Sequence, residues 1–584
     1  METPRQRARA LLRNGPAAAS VLWRHLGRTG AKAGSVALRV APPRARALVS
    51  GPAVRRRRPD LAALALAAAG EREQAARVLT AALHEDAHPG PVLVRRVAAA
   101  ALTLDLPDLA EHAVDLLPDD DEDRPRLAAL LAATRGNLRE AVRWAALVPG
   151  RRGVELRRRL TGETEVLRHT LLDDELTRPP APRRAAGEVR RVLHVVSNAL
   201  PEVQAGYTIR THGIVTAQRG AGLEPHVVTR LGFPVDSGHL AAPARVEVDG
   251  VPYHRLIPTA PLPVPSRALQ ERAVDELGRL VERLRPDLLH AHSKHENAQV
   301  ALIVARRLGL PVVYEVRGLL EETWRSRGGR ADSDFYLWSR EAETFCMTLA
   351  DQVVVLAETM RREVVERGVP AEMVHVVPNA VPDSFTGPLP DRAPVRERLG
   401  LRPGDTVLGT VTTLNDYEGV DTLLAALERL DDPGVRLLVV GDGPARAALR
   451  QRAEPLGDRV VFTGRVPHGR VRELLAAMDA FCVPRRATPV TVLVPPLKPL
   501  EAMAAGLPVL VSDLPPLVEL VVPGRFGLAA PAGDSEAWAE RMAAVRDDPE
   551  AVRALGRQGR DWVAAHGTWS VAAERYREVY GLLR

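Results

Sequence analysis

The stretch VRLLVVGDGPARAALRQR, residues 435–452, decides the fold of this chain. The apolar run Val435–Val440 predicts a buried strand of a parallel sheet, and Arg446–Arg452 predicts the helix that follows it. Gly441–Gly443 forms the turn between them, where glycine lets the backbone approach a ligand closely and the helix N-terminus favours anions. A tight turn that binds nothing is the alternative. Strand, glycine turn and helix together indicate a doubly wound α/β sheet.

The same pattern repeats on both sides of this stretch. Apolar runs in the second half of the chain predict further strands at residues 407–411, 460–462, 480–483 and 509–511. An earlier series predicts strands at residues 192–196, 227–228, 288–292, 312–316, 353–356 and 376–380. Two tandem Rossmann-like domains, residues 190–382 and 395–584, are therefore expected to face each other across a cleft. Ligands of such sheets bind at the carboxyl ends of the strands.

The composition is that of a globular protein, with 46% hydrophobic and 26% charged residues. The two cysteines, Cys346 and Cys482, are too few for a disulfide framework or a zinc cluster, and they fit a reducing, cytoplasmic compartment. Residues 1–58 hold 14 basic residues and one acid, so this segment has a charge of +13, whereas the whole chain has a net charge of +7. The other residues sum to −6, which argues against a nucleic-acid-binding surface on the main fold.

The basic tail, residues 1–58, is predicted to be a solvated and largely disordered extension. The alternative is electrostatic docking on anionic lipids at the inner face of the membrane, with a short amphipathic helix at residues 17–26. The sequence contains no run of about 20 apolar residues, so no membrane-spanning helix is predicted.

Residues 59–178 are rich in alanine and leucine at helical spacing, which predicts an all-α region. Small-residue turns recur near Gly70, Asp105 and Gly136, about one helix pair apart, and this resembles degenerate tetratricopeptide-type repeats. Such a stack can bind a protein partner or simply cap the neighbouring domain, and the sequence leaves both open. The proline-rich residues 179–182 predict a linker to the first α/β domain.

Several ordered segments carry a resemblance to a known family: Val439–Pro444, Val461–Val466, Leu500–Val509 and Val376–Val381. From about Arg190 to Arg584 the sequence resembles a GT-B retaining glycosyltransferase of glycosyltransferase family 4, also called group 1. A narrower likeness, to the branch associated with bacterial exopolysaccharide and exosortase clusters, rests on four further segments: Gly206–Thr211, Val313–Gly318, Asp416–Asp421 and Pro496–Glu501.

The resemblance implies a catalytic set of Lys498, Glu501 and Arg485. Glu501 matches the glutamate that accepts hydrogen bonds from the ribose hydroxyls of the nucleotide, and a glutamate that only interacts with the helix dipole is the alternative. Lys498 is held in a proline-rich loop and Arg485 follows a predicted strand. Both are expected to offset charge on the leaving diphosphate, unless they are ordinary surface cations.

The remaining site residues are predicted on both sides of the cleft. Those expected to bind the donor, together with Glu501, are Gly206, Tyr207, Arg210, Gly441, Asp442, Gly443, Gly464 and Arg465. His292, Glu315 and Arg317 are assigned to the acceptor side, with a salt bridge between Glu315 and Arg317 in the cleft wall as the alternative. His290, His292 and His295 cluster with Glu296, but no metal site is expected, because GT-B enzymes need no metal for catalysis.

The sequence departs from the family at the usual phosphate clamp. Leu493 stands where the family has its first glutamate, and Thr413 and Glu418 stand where an arginine and a lysine are common. Many members also have histidine at the position of Arg317. The clamp must therefore be rebuilt from Lys498 and Arg485 if the protein is active.

The predicted function is transfer of a sugar from a nucleotide-diphosphate sugar to a saccharide or lipid-linked acceptor, with retention and without a cofactor. Cell-surface polysaccharide or glycoconjugate synthesis is the expected setting. A non-catalytic scaffold built from the helical region and a degenerate GT-B body is the second hypothesis. A sugar-nucleotide epimerase is the third.

Overall fold

The computed structural model describes residues 10–19, 49–51, 54, 57–84, 89–183, 187–263, 267–522 and 524–583. Most of the amphipathic helix predicted at residues 17–26 lies outside these ranges. No helix among the described residues is long and apolar enough to cross a membrane.

Residues 10–19 of the basic tail form a helix that packs on the first α/β domain. The side chain of Asn14 is fully buried, and its amide donates hydrogen bonds to the carbonyl oxygens of Leu240 (2.8 Å) and Ala242 (2.9 Å). Ala17 joins a small apolar cluster with Leu231 and its neighbours. The prediction of a disordered tail is therefore wrong for these ten residues, because a buried amide and an apolar contact hold them.

Eight helices follow in the described part of the chain between residues 57 and 183. They are Pro59–Ala68, Arg72–His84, Pro91–Thr103, Pro107–Asp115, Arg124–Thr134, Leu138–Ala146, Gly150–Leu167 and Thr170–Leu176. Several begin with proline, which suits a first turn because its missing N–H has no partner there. Neighbouring helices pack in pairs over alanine and leucine, and the last two also pack on helices Arg267–Leu284 and His295–Leu308 of the first domain.

The first α/β domain is built on an eight-stranded sheet with the order β3-β4-β2-β1-β5-β6-β7-β8. All neighbouring strands are parallel except β3 and β4, which form an antiparallel edge pair. The strands are β1 Arg191–Val196, β2 Glu224–Thr229, β3 Arg245–Val248, β4 Val251–Arg255, β5 Leu288–His292, β6 Val312–Glu315, β7 Gln352–Val355 and β8 Val374–Val376. Its helices are Gly206–Gly220, Arg267–Leu284, His295–Leu308, Leu320–Arg325, Asp334–Leu349 and Glu358–Glu366.

The second α/β domain has a six-stranded parallel sheet with the order β11-β10-β9-β12-β13-β14. The strands are β9 Thr406–Val411, β10 Val435–Val440, β11 Val460–Gly464, β12 Ala480–Val483, β13 Val509–Ser512 and β14 Gly527–Ala530. The helices are Ala393–Arg398, Val420–Leu430, Arg446–Ala453, Val471–Ala476, Lys498–Ala504, Pro515–Val521, Ser535–Asp547 and Pro549–His566. The β10 strand and the helix after it are those predicted from the opening stretch.

The C-terminal helix Trp569–Gly581 returns to the first domain, although the sequence placed it with the second. Trp569, Tyr576 and Tyr580 belong to one buried apolar cluster with residues of the first sheet. Gly213 permits this packing, since a Cβ atom there would lie 2.3 Å from the indole of Trp569. The chain therefore crosses between the domains twice.

The domains also touch on the other side of the cleft. The carboxylate of Glu519 in the second domain accepts hydrogen bonds from the backbone N–H groups of Glu358 (2.6 Å) and Thr359 (3.1 Å). These groups begin helix Glu358–Glu366 of the first domain and have no partner within the helix. The contact holds the two sheets with their strand ends facing a common cleft.

Candidate active site

A cavity of about 790 Å³ lies between the two domains. The first domain contributes the loop Gln204–Gly206 and Ile209, and the second contributes the ends of its strands and the loops that follow them. Of the predicted site residues, the cavity brings together Gly206, Gly441, Asp442, Gly443, Arg465, Arg485 and Lys498. The position of the cavity agrees with the rule that ligands bind at the carboxyl ends of parallel strands.

The glycines of the opening stretch are required by the packing of the turn. Gly441 has a φ of +139°, and a Cβ atom there would lie 1.9 Å from the carbonyl oxygen of Thr412. A Cβ atom on Gly443 would lie 2.5 Å from the carbonyl oxygen of Leu414. The N–H of Gly441 donates a hydrogen bond to the carbonyl oxygen of Gly464, so Gly464 also stabilises this turn. The glycines were predicted to let a ligand approach the backbone closely; in the structure the neighbouring loop 412–414 makes that close approach.

Lys498 and Glu501 form one ion pair at the cavity. Lys498 begins helix Lys498–Ala504, and its Nζ lies 2.9 and 2.8 Å from the two carboxylate oxygens of Glu501. Glu501 is only 3% exposed, and it lies one turn further along the helix. A ligand in the cavity therefore meets Lys498 first, with the carboxylate behind it.

Arg485 is held by Glu418, the residue that replaces the family's usual cation. The Nη2 and Nε atoms of Arg485 lie 2.9 and 3.2 Å from the two oxygens of Glu418, and Nη1 donates to the carbonyl oxygen of Val494 (3.2 Å). This two-point geometry fixes the plane of the guanidinium. Glu418 itself is buried, and both side chains line the cavity.

Arg465 and Thr413 also line the cavity. Arg465 is exposed, and none of the described residues pairs with its side chain by a hydrogen bond or an ion pair. Leu493, at the position of the family's first glutamate, packs against the main apolar cluster of the first domain. An interdomain contact thus occupies the place of a charged group.

Arg210, predicted to bind the donor, does not line the cavity. It is 2% exposed and donates to Glu315 (2.9 Å), to the hydroxyl of Tyr576 (3.0 Å) and to the carbonyl oxygens of Val377 and Pro378 (both 2.8 Å). Its guanidinium lies within the first domain because it faces the sheet side of helix Gly206–Gly220. Tyr207 on the same helix is 43% exposed but is not part of the cavity wall.

Glu315 and Arg317 form the salt bridge that the sequence left open as an alternative. Arg317 Nε lies 2.6 Å from Glu315 Oε1, and the hydroxyl of Tyr576 donates to Glu315 Oε2 (2.5 Å). Burial alone would raise the pKa of Glu315, but Arg317 and Arg210 outweigh it and hold that pKa well below its ordinary value. Glu315 is fully buried and His292 is 2% exposed, so the predicted acceptor side does not reach the cavity.

His292 belongs to a buried histidine group that includes His194, which the sequence reasoning missed. Nδ1 of His194 lies 2.9 Å from Nε2 of His292, and a ligand atom from each of His194, His290 and His292 lies within 4.8 Å of the others. Burial and then the charge of Arg317 hold the pKa of His292 well below its ordinary value. A metal ion bound by these histidines would also be repelled by the positive charge of Arg317. The predicted partner His295 instead lies beside Glu343, with Nδ1 3.6 Å from Oε1.

Two family models match the chain. The glycosyl transferase 4-like domain matches residues 205–380, and glycosyl transferases group 1 matches residues 405–548. The 2-deoxystreptamine N-acetyl-D-glucosaminyltransferase of Streptomyces fradiae is 30% identical over 322 residues, 51% of this chain and 72% of that protein. The chain belongs to the group 1 glycosyltransferases. These matches cover both domains that form the cavity.

The share of the relative that is aligned differs between two other group 1 glycosyltransferases. The D-inositol 3-phosphate glycosyltransferase of Nocardia farcinica is 27% identical over 395 residues, 64% of this chain and 83% of that protein. A GDP-mannose-dependent phosphatidylinositol monomannoside mannosyltransferase of Corynebacterium glutamicum is 30% identical over 200 residues. That alignment spans 33% of this chain and about half (52%) of the relative.

Solved structures confirm the predicted GT-B fold. Sucrose-phosphate synthase from Thermosynechococcus elongatus superposes with a TM-score of 0.55 at 23% identity, covering 67% of this chain and 98% of that one. Anabaena HepE in complex with UDP gives a TM-score of 0.54 at 18% identity, covering 67% of this chain and all of that one. The remaining third of this chain corresponds in size to the tail and the helical region.

Proposed function

We propose that this group 1 glycosyltransferase moves a hexosyl group from a nucleotide-diphosphate sugar to a saccharide or lipid-linked acceptor, with retention. One observation carries the proposal: Arg465, Arg485 and Lys498 converge on one cavity between the domains, opposite the Gly206 loop. The Anabaena protein of the same fold is described in complex with UDP and with UDP-glucose. A diphosphate is the ligand group that three converging cations suit.

The rebuilt clamp would hold the diphosphate through Lys498 and Arg485. Lys498 is already paired with Glu501 at 2.8 Å, so a phosphate oxygen in the cavity would compete with a buried carboxylate for its ammonium. Glu501, behind Lys498, would accept hydrogen bonds from the ribose hydroxyls. Arg485 stays oriented by Glu418 and still has N–H groups beyond those that Glu418 and Val494 use.

In the reaction that we propose, the protein acts mainly by orienting the substrates and stabilising charge. The acceptor hydroxyl attacks the anomeric carbon on the face that the diphosphate leaves, and the departing phosphate oxygen takes the acceptor proton. The bond to the leaving group breaks before the new bond is complete, so negative charge grows on the diphosphate. Lys498 stabilises that charge, and domain closure orients the two substrates. No metal ion takes part in this scheme.

We place this reaction in cell-surface polysaccharide or glycoconjugate synthesis, as the exopolysaccharide-like segments suggest. The two cysteines are free and buried, as suits a reducing cytoplasm. The basic tail would bring the enzyme to the anionic inner face of the membrane, and the helical region would receive a protein partner away from residues 143–158.

The scaffold hypothesis has one observation in its favour. Both cavity cations with buried partners, Arg485 and Lys498, are already neutralised by carboxylates, and Leu493 replaces an acidic group. In a scaffold these pairs would be permanent and the cavity would bind no nucleotide.

The test is thermal unfolding of the full chain with UDP, GDP, ADP or TDP, followed by assay of diphosphate release from the matching sugar nucleotides. A donor site predicts stabilisation by one diphosphate, roughly 2.7 kcal/mol at 100 times its dissociation constant. Arg485→Gln should reduce that stabilisation, whereas Arg557→Gln, an exposed arginine on helix Pro549–His566, should not. Binding of one diphosphate without turnover would leave a donor site but contradict the proposed transfer reaction. No binding of any nucleotide would contradict the donor site and favour the scaffold.

A further inference from the structure

The helical region carries a basic and apolar surface that the proposed reaction does not use. We call it the 143–158 surface; it consists of the exposed residues Arg143, Leu147, Arg151, Arg152, Val154, Arg157 and Arg158. It spans the end of helix Leu138–Ala146 and the first half of helix Gly150–Leu167, which pack on each other. Gly153 and Leu160 on the opposite side of the second helix are buried.

The charge of this surface is not compensated by its neighbours. Residues 143–158 contain five arginines and one acid, Glu155, a net charge of +4. None of the described residues forms a hydrogen bond or ion pair with the five arginine side chains. Other arginines of the helical region have partners, since Arg95 pairs with Asp121, and Arg135 with Asp108 and Glu111.

Two aliphatic side chains lie among these cations. Leu147 is 64% exposed and Val154 is 58% exposed. A groove of about 470 Å³ opens beside Val154, between helices Gly150–Leu167 and Arg267–Leu284, and Arg157 and Arg158 line it. Arg267 on its far wall pairs with Asp174 and Glu271. Glu165 also lines the groove, which thus holds two guanidinium groups and one carboxylate outside the Arg267 pairs, next to an exposed apolar side chain.

We infer that the 143–158 surface docks on an anionic phospholipid membrane, with Leu147 and Val154 entering the headgroup layer and the arginines binding lipid phosphates. The argument is charge complementarity combined with exposed apolar groups at the same place, since membrane affinity of a helix grows with both. The groove gives a phosphate headgroup a position between Arg157 and Arg158. This surface is distinct from the basic tail and does not depend on the catalytic proposal.

An acidic protein partner would need the same charge but not the two exposed aliphatic groups. Whether Val154 enters the lipid headgroup layer therefore distinguishes a membrane from an acidic protein partner. Because Cys346 and Cys482 are both buried, a single cysteine placed on the surface of the full chain can carry an environment-sensitive fluorophore. Val154→Cys reports on the proposed surface. Val92→Cys, at a valine 55% exposed on helix Pro91–Thr103, is the matched control.

The labelled proteins are mixed with phosphatidylcholine vesicles, with and without phosphatidylglycerol, and with soluble polyglutamate. The expected result is a blue shift and higher intensity at position 154, only with phosphatidylglycerol, and no change at position 92. A protein that sediments with the anionic vesicles while the label at 154 stays unchanged would overturn the inference. A response at 154 to polyglutamate alone would overturn it in favour of an acidic protein partner.

Charge reversal gives a second measurement that does not rely on the label. Each arginine near an anionic membrane contributes roughly a fivefold gain in partitioning. R151E/R152E should lower the vesicle partition coefficient on the order of 25-fold or more. R77E/R96E changes the charge equally at two exposed arginines on other helices, and it should have a much smaller effect. Equal losses in both double variants would show that only overall charge matters, which would contradict a docking surface at residues 143–158.

Discussion

Both α/β domains gather charged residues near the ends of their central strands, but the two sets have opposite surroundings. In the first domain Arg210, Glu315 and Arg317 are buried and bind one another. In the second domain Arg485 and Lys498 line an open cavity. The difference arises because the C-terminal helix covers the first set with Tyr576, whereas the interdomain cleft lies over the second. A charged residue at a strand end therefore indicates a ligand site only when nothing packs over it.

The largest effect should come from breaking the covered cluster. Glu315→Gln keeps the size of the side chain but leaves Arg210 and Arg317 buried without a counter-charge. We expect the free energy of unfolding to fall by about 3–5 kcal/mol. The measurement is denaturant unfolding. Glu550→Gln, which removes a carboxylate that is 73% exposed and paired with Arg557, should cost less than about 1 kcal/mol. Equal costs would show that burial does not distinguish the two sites.

Substitution of a charged residue that lines the open cavity should lower turnover rather than stability. Lys498→Ala removes the cation that we propose to stabilise the leaving diphosphate, so kcat should fall by about 10²–10³ while KM for the donor changes less. Lys294→Ala is the control, since Lys294 pairs with Glu296 at a strand end of the first domain and lies outside the cavity. Steady-state kinetics with the best donor measures both. An unchanged kcat in Lys498→Ala would place the diphosphate elsewhere.

Glu501→Gln should weaken nucleotide binding rather than the fold. A hydrogen bond to a charged acceptor contributes about 1.5–3 kcal/mol, so the dissociation constant of the diphosphate should rise by roughly 10- to 150-fold. Calorimetric titration of wild type and variant checks this. If the affinity is unchanged, Glu501 serves only to hold Lys498.

Arg465→Gln should have the smallest effect in this comparison. The side chain is exposed, so its attraction for a diphosphate is screened by water and salt and amounts to about 0.2–1 kcal/mol. We expect a few-fold loss of affinity at low ionic strength that disappears as salt is added. A large loss that persists at high salt would mean that Arg465 binds the phosphates directly in a closed state.

The sequence predicted most of the fold because the central strands are continuous apolar runs. It missed the edge pair β3 and β4, whose side chains alternate in exposure, and β14, where Leu528 is the one large apolar residue of Gly527–Ala530. It also missed the helix at residues 10–19, because the burial of Asn14 depends on the carbonyl groups of a distant loop.

More of the predicted site residues line the cavity in the second domain than in the first. Arg485 and Lys498 do so because the loops that carry them follow strand ends that stay open, and their roles stay predictions. Arg210, Glu315 and His292 lie outside the cavity. Residue type does not reveal that Tyr576, 366 positions after Arg210 and 261 after Glu315, covers the first two of these side chains. The pairing of Glu418 with Arg485 was also invisible, although the exchange of a usual cation for an acid indicated that a partner was needed.

The return of the C-terminal helix has a consequence for the order of folding during synthesis. The last strand of the first sheet ends at Val376, and Tyr576 lies 200 residues further along the chain. At about 5–20 residues per second, a ribosome needs roughly 10–40 s to reach it. Through that interval the edge of the nascent first domain that Tyr576 will cover stays open to water and to chaperones. The domain made first is thus completed last, together with the end of the chain.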